Sequence, residues 1–136
     1  MDKKAIVLSV AGSDSSGGAG IQADIKAISA LGGYAATAIT AITVQNTLGV
    51  QAVHPVAAEL VGQQMQAGME DLQPDAIKIG MTGNVEIIYE IVRILRRYSP
   101  RKVVFDPVMV STSGHSLMTD EALEAIRTKL IPKVTL

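Results

Sequence analysis

A chain of 136 residues has the size of one domain or part of one, and 48% apolar with 18% charged residues excludes a disordered or fibrous protein. Twelve basic against thirteen acidic side chains leave a formal charge of −1, with no long basic stripe to track nucleic-acid phosphates, and the lack of Cys excludes a disulfide framework or a thiolate metal site. No run approaches the roughly 20 apolar residues of a membrane span, and Ala5–Ala11 is too short for a signal sequence, so a cytoplasmic chain without nucleic-acid or membrane partners is expected.

In chain order, Ala5–Ala11 predicts a buried strand that runs into the small polar loop Ser13-Asp14-Ser15-Ser16-Gly17-Gly18-Ala19-Gly20. A helix follows over Gly18–Leu31. Tyr34–Val44 and Val50–His54 predict two strands separated only by Asn46-Thr47-Leu48-Gly49, hence an antiparallel hairpin, either a plain connector or a flap over a ligand. The helix expected over Ala57–Leu72 carries Val61, Met65, Met69 and Leu72 at helical spacing. Then come a strand at Ala76–Ile79, a helix at Val85–Tyr98 and a strand at Val103–Asp106. A polar turn at Ser111-Thr112-Ser113-Gly114-His115 precedes Thr119, an N-cap for a helix over Asp120–Leu130, and a further strand begins at Val134. Strands alternating with helices give an α/β fold with a mostly parallel sheet. A chain that stops inside a strand points to a truncated domain, with residues 1–136 as its N-terminal portion.

Between a buried strand and a helix, the Gly-rich loop reads either as a capped turn or as a pocket wall with outward-facing amides that tolerate an anion. It is not a Walker loop, because no Gly-Lys pair occurs. Nor is it a dinucleotide fingerprint: no acid follows Asp24 until Glu59, so the ribose-binding carboxylate is missing. A Ser nucleophile elbow would need Gly-x-Ser-x-Gly, which the loop lacks. Asp24 falls on the helix face that carries Ile21, Ile28 and Leu31, where a partly buried carboxylate needs either a polar partner or a ligand. Because ligands of open α/β sheets bind beyond the carboxyl ends of the strands, candidate site residues are Gly12, Val44, Gln45, Gly80, Met81, Asp106 and Val108, with Asp24 beside them. Met81 and Val108 alone would fit a core as well. Asp106 before Pro107 is either a turn acid or a holder of Mg²⁺. His54 and His115 have no metal-ligand spacing and receive no role.

Three segments in order, AGSDSSGGAGIQADIKAISALGGYAATAITAITVQNT, DAIKIGM and VVFDPVMVSTSG, resemble the hydroxymethylpyrimidine/phosphomethylpyrimidine kinases of thiamine biosynthesis, in the ribokinase superfamily. The resemblance implies a three-layer α/β/α fold and a phosphotransferase that moves the γ-phosphoryl of ATP to the pyrimidine's hydroxymethyl group and then to the monophosphate. It implies that Gly12, Asp24, Val44, Gln45, Met81 and Val108 line the pyrimidine pocket and that Asp106 lies toward the phosphates of ATP and Mg²⁺. Members are commonly homodimers and roughly twice this length. The remaining half supplies their Gly-rich anion hole, proposed base and most of the nucleotide surface, so the resemblance assigns no catalytic residue here and an isolated fragment is expected to be nearly inactive. Pyridoxal or pyridoxine kinase activity and a non-catalytic pyrimidine-binding fragment are the competing expectations.

Overall fold

The computed structural model describes residues 3–108 and 118–136; the turn expected at 111–115 lies outside them. In order come β1 (Ile6–Ser13), α1 (Gly20–Ala30), β2 (Tyr34–Asn46), β3 (Gly49–Pro55), α2 (Ala58–Asp71), β4 (Ala76–Ile79), α3 (Val85–Tyr98), β5 (Val103–Phe105) and α4 (Asp120–Ala125). The five strands form one sheet in the order β3-β2-β1-β4-β5. Pairing is parallel throughout except between β2 and β3, which form the expected antiparallel hairpin. Because β1, β4 and β5 run the same way, their carboxyl ends deliver Gly12, Gly80 with Met81, and Asp106 to one edge of the sheet.

Alternation along β1 sends Leu8 and Val10 to one face and Ser9 to the other. Leu8 lies over α2, with a methyl 3.4 Å from where a Cβ on Gly68 would stand, whereas Ser9 meets Asp24 of α1. α1 therefore covers one face, while α2, α3 and α4 pack together on the other. The core fills this second interface with Leu8, Val10, Ile77, Ile79, Val61, Met65, Ile87, Ile88, Ile91 and Ile94, all fully buried. Each such side chain contributes about 2 kcal/mol through removal from water.

α3 shows why its sequence is helical. Asn84 caps it by accepting from the Ile87 amide at 2.9 Å, Glu86 opens and Arg96 and Arg97 close it in accord with the helix dipole, and Ser99 ends it in the left-handed region at φ 44°. Thr119 caps α4 as expected, accepting from the Ala122 amide at 3.1 Å.

Several boundaries differ from the sequence reading. α1 begins at Gly20 rather than Gly18, because the Gly18 and Ala19 amides are turned to a loop carboxylate. Leu31 is not on the packed face of that helix but is 89% exposed as its C-cap. The helix expected over Asp120–Leu130 is α-helical only to Ala125. It widens to a π turn at Ile126–Leu130 and tightens to a 3₁₀ turn at Ile131–Lys133, where Pro132 has no N–H to continue an α ladder. The strand expected from Val134 is not a ladder strand, yet it lies along β5: the Thr135 amide donates to the Val103 carbonyl at 2.7 Å and the Phe105 amide to the Leu136 carbonyl at 2.8 Å. Among the described residues no helix is long and apolar enough to cross a membrane.

Candidate functional site

At the shared strand edge, Gly12 and Met81 are in contact. A Cβ on Gly12 would fall 2.5 Å from the Met81 Cε, so the absence of a side chain at Gly12 is what admits the thioether methyl. Met81 is buried and its carbonyl accepts from the buried Thr40 hydroxyl at 2.7 Å. Gly20 packs equally tightly: at φ +58° a Cβ there would run into the Gly12 carbonyl oxygen. The end of β1 is held further by the Thr43 hydroxyl, which donates to the Ser13 carbonyl at 2.8 Å, and by Gln22, whose amide donates to the Ser13 hydroxyl at 2.8 Å and accepts from the Asp14 amide at 2.8 Å.

The Gly-rich loop does not present its amides outward, which corrects one of its sequence readings. The buried Asp14 carboxylate collects them: Oδ1 accepts from the Ser16 amide and hydroxyl at 2.8 and 2.7 Å, and Oδ2 from the Gly18 and Ala19 amides at 3.0 and 2.8 Å. Burial by itself would raise this carboxyl, but donors from Ser16, the Gln45 side chain and Ala19 outweigh it and lower the pKa from 3.8 to about 2. The loop thus carries its own anion, leaving these amides unavailable to a phosphate. Ser15 ties the loop to the hairpin, donating to the Gln45 carbonyl at 2.8 Å and accepting from the Gln45 amide at 3.0 Å. That clip falls where the β2 register shifts between Val44 and Gln45.

Asp24 was open to two readings, a polar partner or a ligand, and the structure supplies the partner. Its Oδ2 accepts from the Ser9 hydroxyl at 2.6 Å and from Lys78 Nζ at 2.9 Å, while Oδ1 accepts from Lys78 at 3.0 Å. The pair is mostly enclosed, with side-chain exposures of 26% for Lys78 and 17% for Asp24. Ser9, Lys78 and Val104 stand in register across β1, β4 and β5. Asp24 of α1 covers the first, whereas Val104 is 37% exposed. The ion pair therefore stands at the step where α1 stops covering the sheet. Lys78 Nζ also reaches the strand edge, lying 3.1 Å from where a Cβ on Gly80 would be.

Asp106 and Val108 form the rim after β5. The Asp106 amide donates to the Ile79 carbonyl and the Val108 amide to the Asp106 carbonyl, both at 2.9 Å, and Asp106 is exposed. Val44 is 47% exposed on the hairpin. The structure thus joins Gly12 to Met81, ties Gln45 to the Gly-rich loop and sets Asp24 below the Gly80 edge, while Val44, Asp106 and Val108 stand apart at the rim. Among the described residues no three His, Asp or Glu side chains cluster as a metal site. A lone exposed carboxylate at a strand end does fit Mg²⁺, which takes one or two carboxylates and otherwise water and phosphate oxygens. Ser9, Asp14, Ser15 and Lys78 were not among the expected site residues. Concavities of about 300 Å³ beside α3 (Tyr89, Val92, Arg93, Arg96, Lys129) and about 600 Å³ at the opposite strand ends (Gln73, Pro74, Asp75, Arg101, Lys102) contain none of the expected residues. The strand-edge residues are the candidate site because they gather at the carboxyl ends of parallel strands, where ligands of open α/β sheets bind.

Residues 14–136 match the family model described as phosphomethylpyrimidine kinase. The hydroxymethylpyrimidine/phosphomethylpyrimidine kinase of Rhizobium meliloti (strain 1021) is 56% identical over 128 residues, covering 94% of this chain and 48% of that protein. A crystal structure of phosphomethylpyrimidine kinase from Clostridium difficile 630 is 51% identical with a TM-score of 0.90, covering 96% of this chain and 57% of that one. The pyridoxal kinase from Staphylococcus aureus, solved in complex with ADP, is 34% identical with a TM-score of 0.84, covering 98% and 48%. The chain spans about half the length of the curated relatives it matches.

Proposed function

This chain belongs to the phosphomethylpyrimidine kinase family, and from that premise we propose that it is the N-terminal, pyrimidine-binding portion of an ATP-dependent hydroxymethylpyrimidine/phosphomethylpyrimidine kinase of thiamine biosynthesis. The observation that carries this reading is the contact of Met81 with Gly12 at the carboxyl ends of β1 and β4, the strand edge to which Lys78, the partner of Asp24, also reaches. Apolar residues such as Met81 together with a few polar side chains such as Asp24 and Gln45 are the kind of lining that suits a heteroaromatic ring bearing an amino group. The two relatives named for the pyrimidine kinase are 56% and 51% identical to this chain against 34% for the pyridoxal kinase, which favours the pyrimidine over pyridoxal.

In the proposed reaction the hydroxymethyl oxygen attacks the γ-phosphorus of ATP, the bond to the β-phosphate oxygen breaks, and the hydroxyl proton passes to a general base. When bound, Mg²⁺ neutralises phosphate charge, and Asp106 is the residue here that fits it. Gly12 and Met81 seat the ring, Asp24 and Gln45 orient it, and Val44 and Val108 close its sides. With Asp14 occupying its amides, the Gly-rich loop offers no anion hole for the transferring phosphoryl group. The 136 residues by themselves therefore bind the pyrimidine without turning it over. Incubation with ATP, Mg²⁺ and hydroxymethylpyrimidine should yield no appreciable phosphorylated product, and multiple turnovers would refute that division of labour. A cytoplasmic setting and a homodimer belong to the same proposal, the latter read out by sedimentation mass.

A further inference from the structure

We propose that Lys78 is a positioning residue for recognition of an aminopyrimidine, an inference that rests on the pyrimidine reading above. A mostly enclosed lysine between the buried Ile77 and Ile79 of a central strand is costly unless a carboxylate meets it. Here the meeting is asymmetric. Asp24 Oδ2 is filled by Ser9 at 2.6 Å and Lys78 at 2.9 Å, whereas Oδ1 receives Lys78 alone at 3.0 Å. An ionised carboxylate has about four lone-pair sites, so Oδ1, which takes one of these donors against two on Oδ2, keeps the greater capacity to accept from a ligand. The two-pronged grip of Lys78 and the Ser9 hydroxyl fix the carboxylate plane and hold Oδ1 as an acceptor at the step between α1 and the open part of the sheet. Lys78 Nζ stands at the Gly80 edge as well, so the carboxylate is anchored at the strand edge where the ring would lie. An exocyclic amino group can donate to Oδ1; a ring lacking that group leaves it unused. Lys78 itself need not touch the ring.

The test is calorimetric titration of the chain with hydroxymethylpyrimidine and with its analogue lacking the amino group. The unsubstituted chain should prefer the amino ligand by roughly tenfold or more, the worth of one hydrogen bond to a charged group. In Lys78→Met the preference should fall to within about threefold, because Asp24 loses its fixed orientation. Circular dichroism and thermal unfolding establish that the variant is folded. If it is not, Lys78→Gln, which keeps one donor to Asp24 but loses the two-pronged grip, carries the test, with the preference expected to fall part of the way toward threefold. An unchanged preference overturns the assignment, as does weakening of both ligands by one common factor, the mark of an ion pair that only stabilises the fold. Binding of neither ligand to the unsubstituted chain overturns the pyrimidine reading and this inference with it.

Discussion

The Ser15 hydroxyl holds the Gln45 main chain from both sides, donating to its carbonyl at 2.8 Å and accepting from its amide at 3.0 Å. One exposed side chain thereby joins the Gly-rich loop to the base of the β2–β3 hairpin, at the point where the strand register shifts. Ser15→Ala removes both bonds. The expected loss of global stability is small, about 1 kcal/mol, because water replaces them. The local effect is larger: amide exchange at Gln45 should accelerate well beyond that of core β2 amides such as Ala38. Unchanged exchange at Gln45 would show that the clip does not hold the hairpin.

Asp14 should govern acid stability. Its folded pKa of about 2 lies below its ordinary 3.8, so its contribution is complete above about pH 4 and is lost as pH falls through about 2, amounting to about 2 kcal/mol. Asp14→Asn removes this titration and leaves some loop amides poorly paired. The variant should be less stable near neutrality, and the gap should narrow between pH 4 and 2, as read from denaturant midpoints. A constant gap would assign the acid sensitivity elsewhere.

Gly12 and Gly20 separate tolerance from strain. Alanine at Gly12 meets the flexible end of Met81, so stability should fall by only about 1 kcal/mol, while displacement of Met81 reduces pyrimidine affinity about tenfold, the effect of roughly 1.4 kcal/mol. Alanine at Gly20 combines φ +58° with a collision against the Gly12 carbonyl, and should cost about 3 kcal/mol. Thermal unfolding of the two variants measures the contrast, and equal costs would contradict it.

The sequence carried the order of elements well because period and punctuation are local. The short apolar run of β1, the helical spacing over Val85–Tyr98 and the short 46–49 turn each required only neighbours along the chain. What it could not carry were relationships set by folding. Asp24 was legible as an acid in need of a partner, whereas Lys78, a cation between Ile77 and Ile79 in a short strand, was passed over although its flanks carried the signal. Only the pairing of β1 with β4 brings the two together across 54 positions. The same limit applied to the Gly-rich loop. Outward amides and amides turned to Asp14 share one composition, and the backbone path alone separates them. Gly12 was expected at the site, but its intimate contact with Met81 depends on two strand ends meeting in space.

The central claim is that these residues form a pyrimidine site, and calorimetric titration of the chain with hydroxymethylpyrimidine and pyridoxal, repeated on Gln45→Ala, tests it most directly. The pyrimidine should bind more tightly than pyridoxal, and Gln45→Ala should weaken it about tenfold while leaving thermal stability within about 1 kcal/mol of the unsubstituted chain. Preference for pyridoxal, or pyrimidine affinity unaffected by Gln45→Ala, would contradict the placement of the ring against Gly12, Met81 and Gln45.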